Sequence, residues 1–460
     1  MYARSLASSL VLALAGLFLL ATPSAQAQAF VDSYYDLNQG NSIPLTAFDS
    51  SRDRVVIASL REISSFKNDI ALDITIKNPF QIARTYVYTA PFLDSKNGRV
   101  EIADLVADDN AYVVFFNKSA DSRTRWSSWA LRLDPSNLHV VWGRQLTVSG
   151  DPDEFVRVRD AVSLGTSWAM VAALDNELID AETAVVRIDG AGTVLWSNSY
   201  ALTKDAELFT LSYGPQGLVA GGWVSDVLAD DVAAPVVLQL ETHSGQLTNA
   251  VEYVNVRTEF TLAMTQDAGP YGSSASLFLG GQIGGGGDDA VFWNVDSYLN
   301  ASYGTRIPDV SYFMKAIDLT AAGDLVAIEY DYTFGDRLLT VPGPHVTGTG
   351  TPFLSDLSAS YAPATVKLTS LSSALGAVQV GGVQTQDSST ILDPVVLAHT
   401  SLSGALDSCV PTEPLAPRIL QFIESLHLEG STHRRQIGLE PYPFQLVNLG
   451  SVVGTPLCPL

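Results

Sequence analysis

Residues 184–240 read AVVRIDGAGTVLWSNSYALTKDAELFTLSYGPQGLVAGGWVSDVLADDVAAPVVLQL. Within them Phe209–Tyr213 alternates apolar and polar residues and stops at Gly-Pro-Gln-Gly. Leu218–Trp223 follows, then an acidic stretch, then Val236–Leu240, a Thr-His-Ser-Gly turn and a further extended run from Leu247 to Val256. Short runs rich in β-branched and aromatic residues, each closed by Gly, Pro, Asp or Ser, predict a four-stranded antiparallel meander. No helical period of 3.6 residues persists long enough to compete.

The pattern returns along the chain. The second-strand motif recurs at Val55, Tyr112, Trp168, Leu218, Leu277, Leu325 and Val378, with steps of 48 to 59 residues. The third-strand motif keeps step with it, as ALDITI, WALRL, AVVRI, PVVLQL, AVFWNV, RLLTV and PVVLAHT. A period of this size with four strands per unit predicts a propeller or an array. A small sheet with two apolar faces cannot bury both alone, and units packed face to face around an axis solve that. The expectation is an all-β fold, a β-propeller of seven four-stranded blades with a C-terminal tail. Gly221-Gly222, Gly280-Gly281 and Gly381-Gly382 recur at one place in three units. There they predict a bulge or a close backbone approach.

The ends of the chain suggest three segments. Residues 1–27 carry Arg4, an apolar run from Val11 to Ala21 and an Ala25-Gln26-Ala27 site, the pattern of a cleaved secretory signal. Residues 28–416 form the propeller and 417–460 a tail packed on it. The chain is therefore expected to be secreted or periplasmic, without a membrane span. FVDSYYDL (Phe30–Leu37) precedes the first unit, and the seventh unit lacks an evident fourth strand. One terminus is expected to supply it, with the N-terminal segment favoured over Phe444–Leu449 of the tail. Ile419–Leu428 reads equally as short helix or strand. The only two cysteines, Cys409 and Cys458, are expected to form a disulfide after export.

The chain has 26 basic and 49 acidic side chains, and loss of Arg4 with the signal leaves a net charge of −24. Such a charge disfavours nucleic acid and favours cations or basic partners. The acids concentrate where the second strand of each unit passes to the third. They are Asp175 and Glu177 in the third unit, Asp226, Asp230 and Asp231 in the fourth, Asp288 and Asp289 in the fifth, and Asp331 and Asp336 in the sixth. The links between units add Asp151, Asp153, Glu154, Asp205 and Glu207, and Lys118, Arg123 and Arg125 interrupt the trend. Both connections fall at one end of a meander, so a closed ring would gather these groups into an acidic ligand face. Ca²⁺ is the one cofactor considered, at Asp151-Pro-Asp153-Glu154 or Asp288-Asp289, although neither has the spacing of a dedicated calcium loop. No other cofactor or metal is expected.

Catalytic signatures are lacking. No two of the six histidines have zinc-helix spacing, and there is no G-x-S-x-G elbow, P-loop or dinucleotide fingerprint. The seven tryptophans could stack on sugars if exposed, but at apolar strand positions they read as core.

Asp189, Gly190, Gly192 and Trp196, with Gly245 in the following copy, resemble the quinoprotein-like propeller repeats of exported bacterial proteins. That family includes both quinone-dependent dehydrogenases and non-catalytic scaffolds. The dehydrogenases' adjacent cysteine pair has no counterpart in this sequence. Two readings follow. One is a monomeric, non-catalytic binding or scaffold module for a protein or glycan partner, using the acidic face. The other is an extracellular polysaccharide hydrolase or lyase with carboxylates at the ring axis. A deep axial pocket of perturbed carboxylates would favour the enzyme, and a plugged axis the scaffold.

Overall fold

A computed structural model describes residues 30–34, 45–49, 51–52, 54–64, 69–77, 83–94, 98–119, 125–148, 155–174, 182–225, 234–254, 256, 263–267, 276–283, 289–308, 313–319, 324–331, 335–341, 352–355, 365–374, 377–385, 392–399, 412–415, 418–420, 423–452 and 454–456. The described residues form seven antiparallel sheets of five strands each. Their innermost strands are Leu45–Asp49, Val100–Ala107, Val156–Ser163, Asp205–Gly214, Ala263–Asp267, Phe313–Leu319 and Thr365–Ala374. Each touches the next, and the seventh touches the first, which closes the ring. The fold is a β-propeller.

Cores lie between the blades. Tyr112, Val114, Phe116 and Leu131 of the second blade meet Val56, Leu72 and Ile74 of the first. Trp168, Met170 and Val186 of the third meet Val113, Phe115 and Ala130 of the second. Alternate residues of one strand thus serve opposite neighbours, which is why the second strands carry long apolar runs, with Ser167–Leu174 buried at every position. Gly280 fits the expected close approach, since a Cβ there would lie 2.8 Å from the Met314 sulfur of the next blade. At Gly222 the crowding comes instead from Glu207 of the same sheet, beside a bulge between Leu208 and Thr210.

The turns between the third and fourth strands also join the blades. The Asp189 carboxylate accepts from the amides of Ala191 (2.9 Å) and Thr193 (2.8 Å), and Asp296 accepts likewise from Tyr298 and Asn300. The previous blade reaches each turn. Trp142 Nε1 donates to Gly190 O at 3.0 Å, and Trp196 Nε1 to Thr242 O at 3.1 Å. The hydroxyls of Tyr88, Tyr200 and Tyr253 donate to the carbonyls of Leu138, Gly245 and Leu299 in the blades that follow them.

Both termini close the seventh sheet. Phe30–Tyr34 provides its fourth strand, with Phe30 opposite His399, and Gly454–Pro456 lies outside it. The N-terminal segment is therefore the donor of the fourth strand, as favoured from sequence. The blades differ from the four-stranded expectation because the tail adds a fifth strand to every one. Thr412–Pro414, Arg418–Leu420, Ser425–His427, Gly430–Arg434, Ile437–Pro441, Gln445–Val452 and Gly454–Pro456 pair with blades six, five, four, three, two, one and seven in that order. Ile419–Leu428, ambiguous in the sequence, is divided between two of these strands.

Sheet twist explains how so short a segment encircles the ring. Neighbouring strands rotate by roughly 20–25°, so four steps turn the outermost strand through about a right angle relative to the innermost. It then runs around the circumference rather than along the axis. Pairing antiparallel to each fourth strand sends the chain backwards through the blades. It also seals the outer end of inter-blade cores: Ile423 between blades four and five, Ile437 between two and three, and Phe444 between one and two are all buried. Leu428 and Leu415 pack likewise on the two remaining described cores.

Cys409 and Cys458, and residues 1–27, lie outside the described residues. No helix among the described residues is long and apolar enough to cross a membrane.

Candidate functional site

Of the nine acidic candidates, Asp175, Glu177, Asp226, Asp230, Asp231 and Asp288 lie outside the described residues. Asp331 is described by its backbone, at the end of a strand opposite Gly335. Asp289 and Asp336 are buried. Asp289 pairs with Arg306, and Asp336 accepts from Lys315 Nζ at 2.6 Å. Asp205 and Glu207, assigned from sequence to an inter-unit link, belong to the innermost strand of the fourth blade. Among the described residues no group of three or more His, Cys, Asp or Glu side chains is poised to hold a metal ion.

Two further carboxylates line the inner strands. Asp104 and Asp160 follow equivalent bulges in blades two and three, each closing a register shift. Asp104 accepts from Leu105 N and from Ala161 N of the next blade, both at 2.7 Å. Asp160 accepts from Leu211 N at 2.6 Å and Thr210 Oγ1 at 2.9 Å in the fourth blade, and from Ala161 N at 2.9 Å. Burial and the adjacent Asp160 charge push the Asp104 carboxyl well above the ordinary range. Burial likewise raises Asp160, against the pull of its amide donors. The two carboxyls hydrogen-bond to each other. Their other bonds go to backbone amides and the Thr210 hydroxyl, so the pair bolts three consecutive blades together at the bulges.

A cleft of about 200 Å³ opens between blades three and four. The fourth blade contributes Asp205, Glu207 and Trp223. Asp205 and Glu207 are two residues apart on one strand, and Trp223 stands opposite Glu207 in the next, so all three share a face. The third blade contributes Glu182 and Tyr200, and the connection between the blades contributes Lys204.

Most charges in the cleft are matched. Glu207 pairs with Arg159, and Lys204 Nζ donates to Glu252 Oε1 at 2.8 Å. Glu182 accepts from Arg435 Nε at 2.8 Å, so the encircling tail holds one lining side chain of the cleft. Asp205 is exposed and its carboxylate has no partner among the described residues. Trp223 is partly exposed, and its indole has no ring, cation or carbonyl partner among the described residues. Trp129, Trp142, Trp168, Trp196 and Trp293 are buried as expected, while Trp126 lies 4.2 Å beneath the Arg157 guanidinium.

The sequence held signals for some of these residues. Asp104 and Asp160 are separated by the same 56 residues as Tyr112 and Trp168, which an alignment of innermost strands would have exposed. Trp223 follows a Gly-Gly pair where the other two copies have Gln282 and Val383. Arg435 had no signal, because its role depends on the path of the tail.

No protein-family model and no curated protein matches this chain. Solved structures similar to it include a subtype N10 neuraminidase-like protein of A/little yellow-shouldered bat/Guatemala. It is 8% identical, with a TM-score of 0.33 over 81% of this chain and 98% of that one. A GH32 β-fructofuranosidase of Bombyx mori, BmSUC1, is also 8% identical, with a TM-score of 0.30 over 89% of this chain and 94% of that one. Likeness at this distance carries nothing about what this chain binds.

Proposed function

We propose that the chain is an exported, monomeric binding module that works without catalysis through the acidic loop face. The observation that carries this reading is the cleft between blades three and four, where Asp205 and the Trp223 indole stand unpartnered among the described residues. A polysaccharide hydrolase at the axis would need two carboxyls roughly 5–10 Å apart with their faces free for water and sugar. Asp104 and Asp160 instead spend their oxygens on each other and on backbone amides. The repeat's quinoprotein-like character fits a scaffold, because that family includes non-catalytic members. Export by the signal sequence and a Cys409–Cys458 bridge belong to the same reading, as does an acidic face open to cations, Ca²⁺ included. The test applies the full chain, processed by its host, to a glycan array and to soluble extracellular polysaccharides. Retention without release of shorter products supports the module. Steady release of reducing ends would identify an enzyme instead.

A further inference from the structure

We infer that the cleft between blades three and four is a subsite for one ring of a neutral saccharide. This rests on the binding-module reading above and names its ligand class.

Size is the first argument. At about 200 Å³ the cleft is smaller than the roughly 300–1,000 Å³ of drug-sized sites, which leaves room for a single ring. Charge is the second. Glu207 with Arg159, Glu182 with Arg435 and Lys204 with Glu252 are matched pairs, leaving Asp205 as the one unmatched charge among the described lining residues. A cation would meet Lys204 and two guanidinium groups close by, and an anion would meet the carboxylates. A polyol suffers neither repulsion. Its hydroxyls can donate to the Asp205 carboxylate and accept from the Trp223 indole N–H, and charge-assisted bonds of the first kind are the stronger.

The third argument is the surface that Trp223 offers. Its strand position beside Pro235 and opposite Glu207 sets an apolar ring next to hydrogen-bonding groups on one sheet face. A sugar ring has the matching character, with C–H groups on its faces and hydroxyls around its rim. Tyr200 has its hydroxyl committed to Gly245 O, so the phenol contributes its ring rather than its polar end. The wall is also held from behind, since Leu208 N donates to Thr183 Oγ1 across the two blades at 3.2 Å.

The experiment follows the indole N–H resonances of the ¹⁵N-labelled full chain, with the Trp223 signal assigned by its loss in Trp223→Phe. The probes are the methyl glycosides of glucose, galactose, mannose and N-acetylglucosamine and their disaccharides, with spermidine as the cationic comparison. A sugar is expected to move the Trp223 resonance at millimolar concentration. Asp205→Asn, which keeps the fold at an exposed position, should weaken that sugar by about 10-fold. Three results overturn the inference: no sugar moves the resonance, spermidine alone moves it, or a sugar binds equally well in Asp205→Asn and Trp223→Phe. In the last case binding elsewhere on the loop face leaves the module standing while the cleft falls. Turnover of a bound sugar would instead defeat the module reading.

Discussion

Phe444 lies directly over Gly143: a Cβ at Gly143 would fall 2.3 Å from Phe444 Cδ2 and 2.4 Å from Tyr442 O. Tyr442 N donates to Gly143 O at 2.9 Å, so the tail is hydrogen-bonded to the strand at the point where it crosses. Phe444 then reaches Phe92 and Phe116, with ring centroids 5.7 and 5.9 Å away. Gly143→Ala must push the tail outwards and is expected to cost about 1–3 kcal/mol, as overpacking does. Denaturant titration should show that loss, and limited proteolysis should cut Ile437–Val452 sooner than in the parent chain. Unchanged stability together with unchanged cleavage would show that the contact is not constraining.

A second prediction concerns acid. Asp49 is fully buried at the end of the first innermost strand and accepts from the Tyr112 hydroxyl at 2.5 Å, Ser51 Oγ at 2.7 Å and Arg52 NH1 at 3.1 Å. Burial raises its pKa, but these hydrogen bonds and the Arg52 charge together outweigh burial and hold it below the ordinary value. A depressed carboxylate contributes stability above its unfolded pKa of about 3.9 and loses it as pH falls through the folded value. Asp49→Asn should therefore cost about 1–3 kcal/mol at neutral pH, with the difference from the parent narrowing below pH ~4. Thermal midpoints measured from pH 7 down to pH 3 would check this, and parallel curves would refute it.

The acid and the belt differ in how far they could be read beforehand. Blades were legible because Tyr112, Trp168, Leu218 and their counterparts begin long apolar strands whose two faces are both buried. The belt was not legible, because its strands are short and mostly exposed. Ser425–His427 has no buried residue, and what holds it is backbone pairing with Val251–Tyr253. Ile423, the nearby anchor, sits between two such strands rather than within an alternating run. Cleft residues were partly legible: Asp205 and Glu207 stood out as acids, whereas Trp223 read as core. Its exposure follows from its place at the loop end of the sheet, which composition does not reveal.

Asp104 and Asp160 predict the opposite pH response to Asp49. Burial raises both folded pKa values, and the adjacent Asp160 charge raises Asp104 further, while the contact with Asp104 pulls Asp160 the other way; the folded state thus holds a proton that the unfolded state releases. Stability from this pair is full below the unfolded pKa of about 3.9 and declines as pH rises through the elevated folded values. Asp104→Asn keeps a side-chain donor for Asp160, and Ala161 N retains its bond to Asp160 Oδ1. The substitution should therefore flatten the alkaline decline and leave neutral stability equal or higher. Denaturant midpoints between pH 5 and pH 9 would test it. A loss of more than ~2 kcal/mol at pH 7, the scale of an orphaned buried polar group, would show that the pair is ionised in the folded state and refute this reading.

The belt itself can be removed. A chain ending before Thr412 lacks the fifth strand of all seven sheets, which leaves the fourth strands as bare edges able to template association. It also uncovers the sites filled by Ile423, Ile437 and Phe444, each a side chain whose burial is worth about 1.5–3 kcal/mol. The four inner strands of every blade and the ring of innermost contacts do not depend on the tail, so the shortened chain should still be rich in strand. It should melt lower and associate, seen as a rise in mass by light scattering with the circular dichroism of a β-protein retained. A peptide of residues 412–460 supplied separately should return it to the parent chain's mass, because the seven strands pair by backbone register rather than by chain continuity. A shortened chain that keeps the parent's association state and melting temperature would mean that the belt adds nothing to the ring.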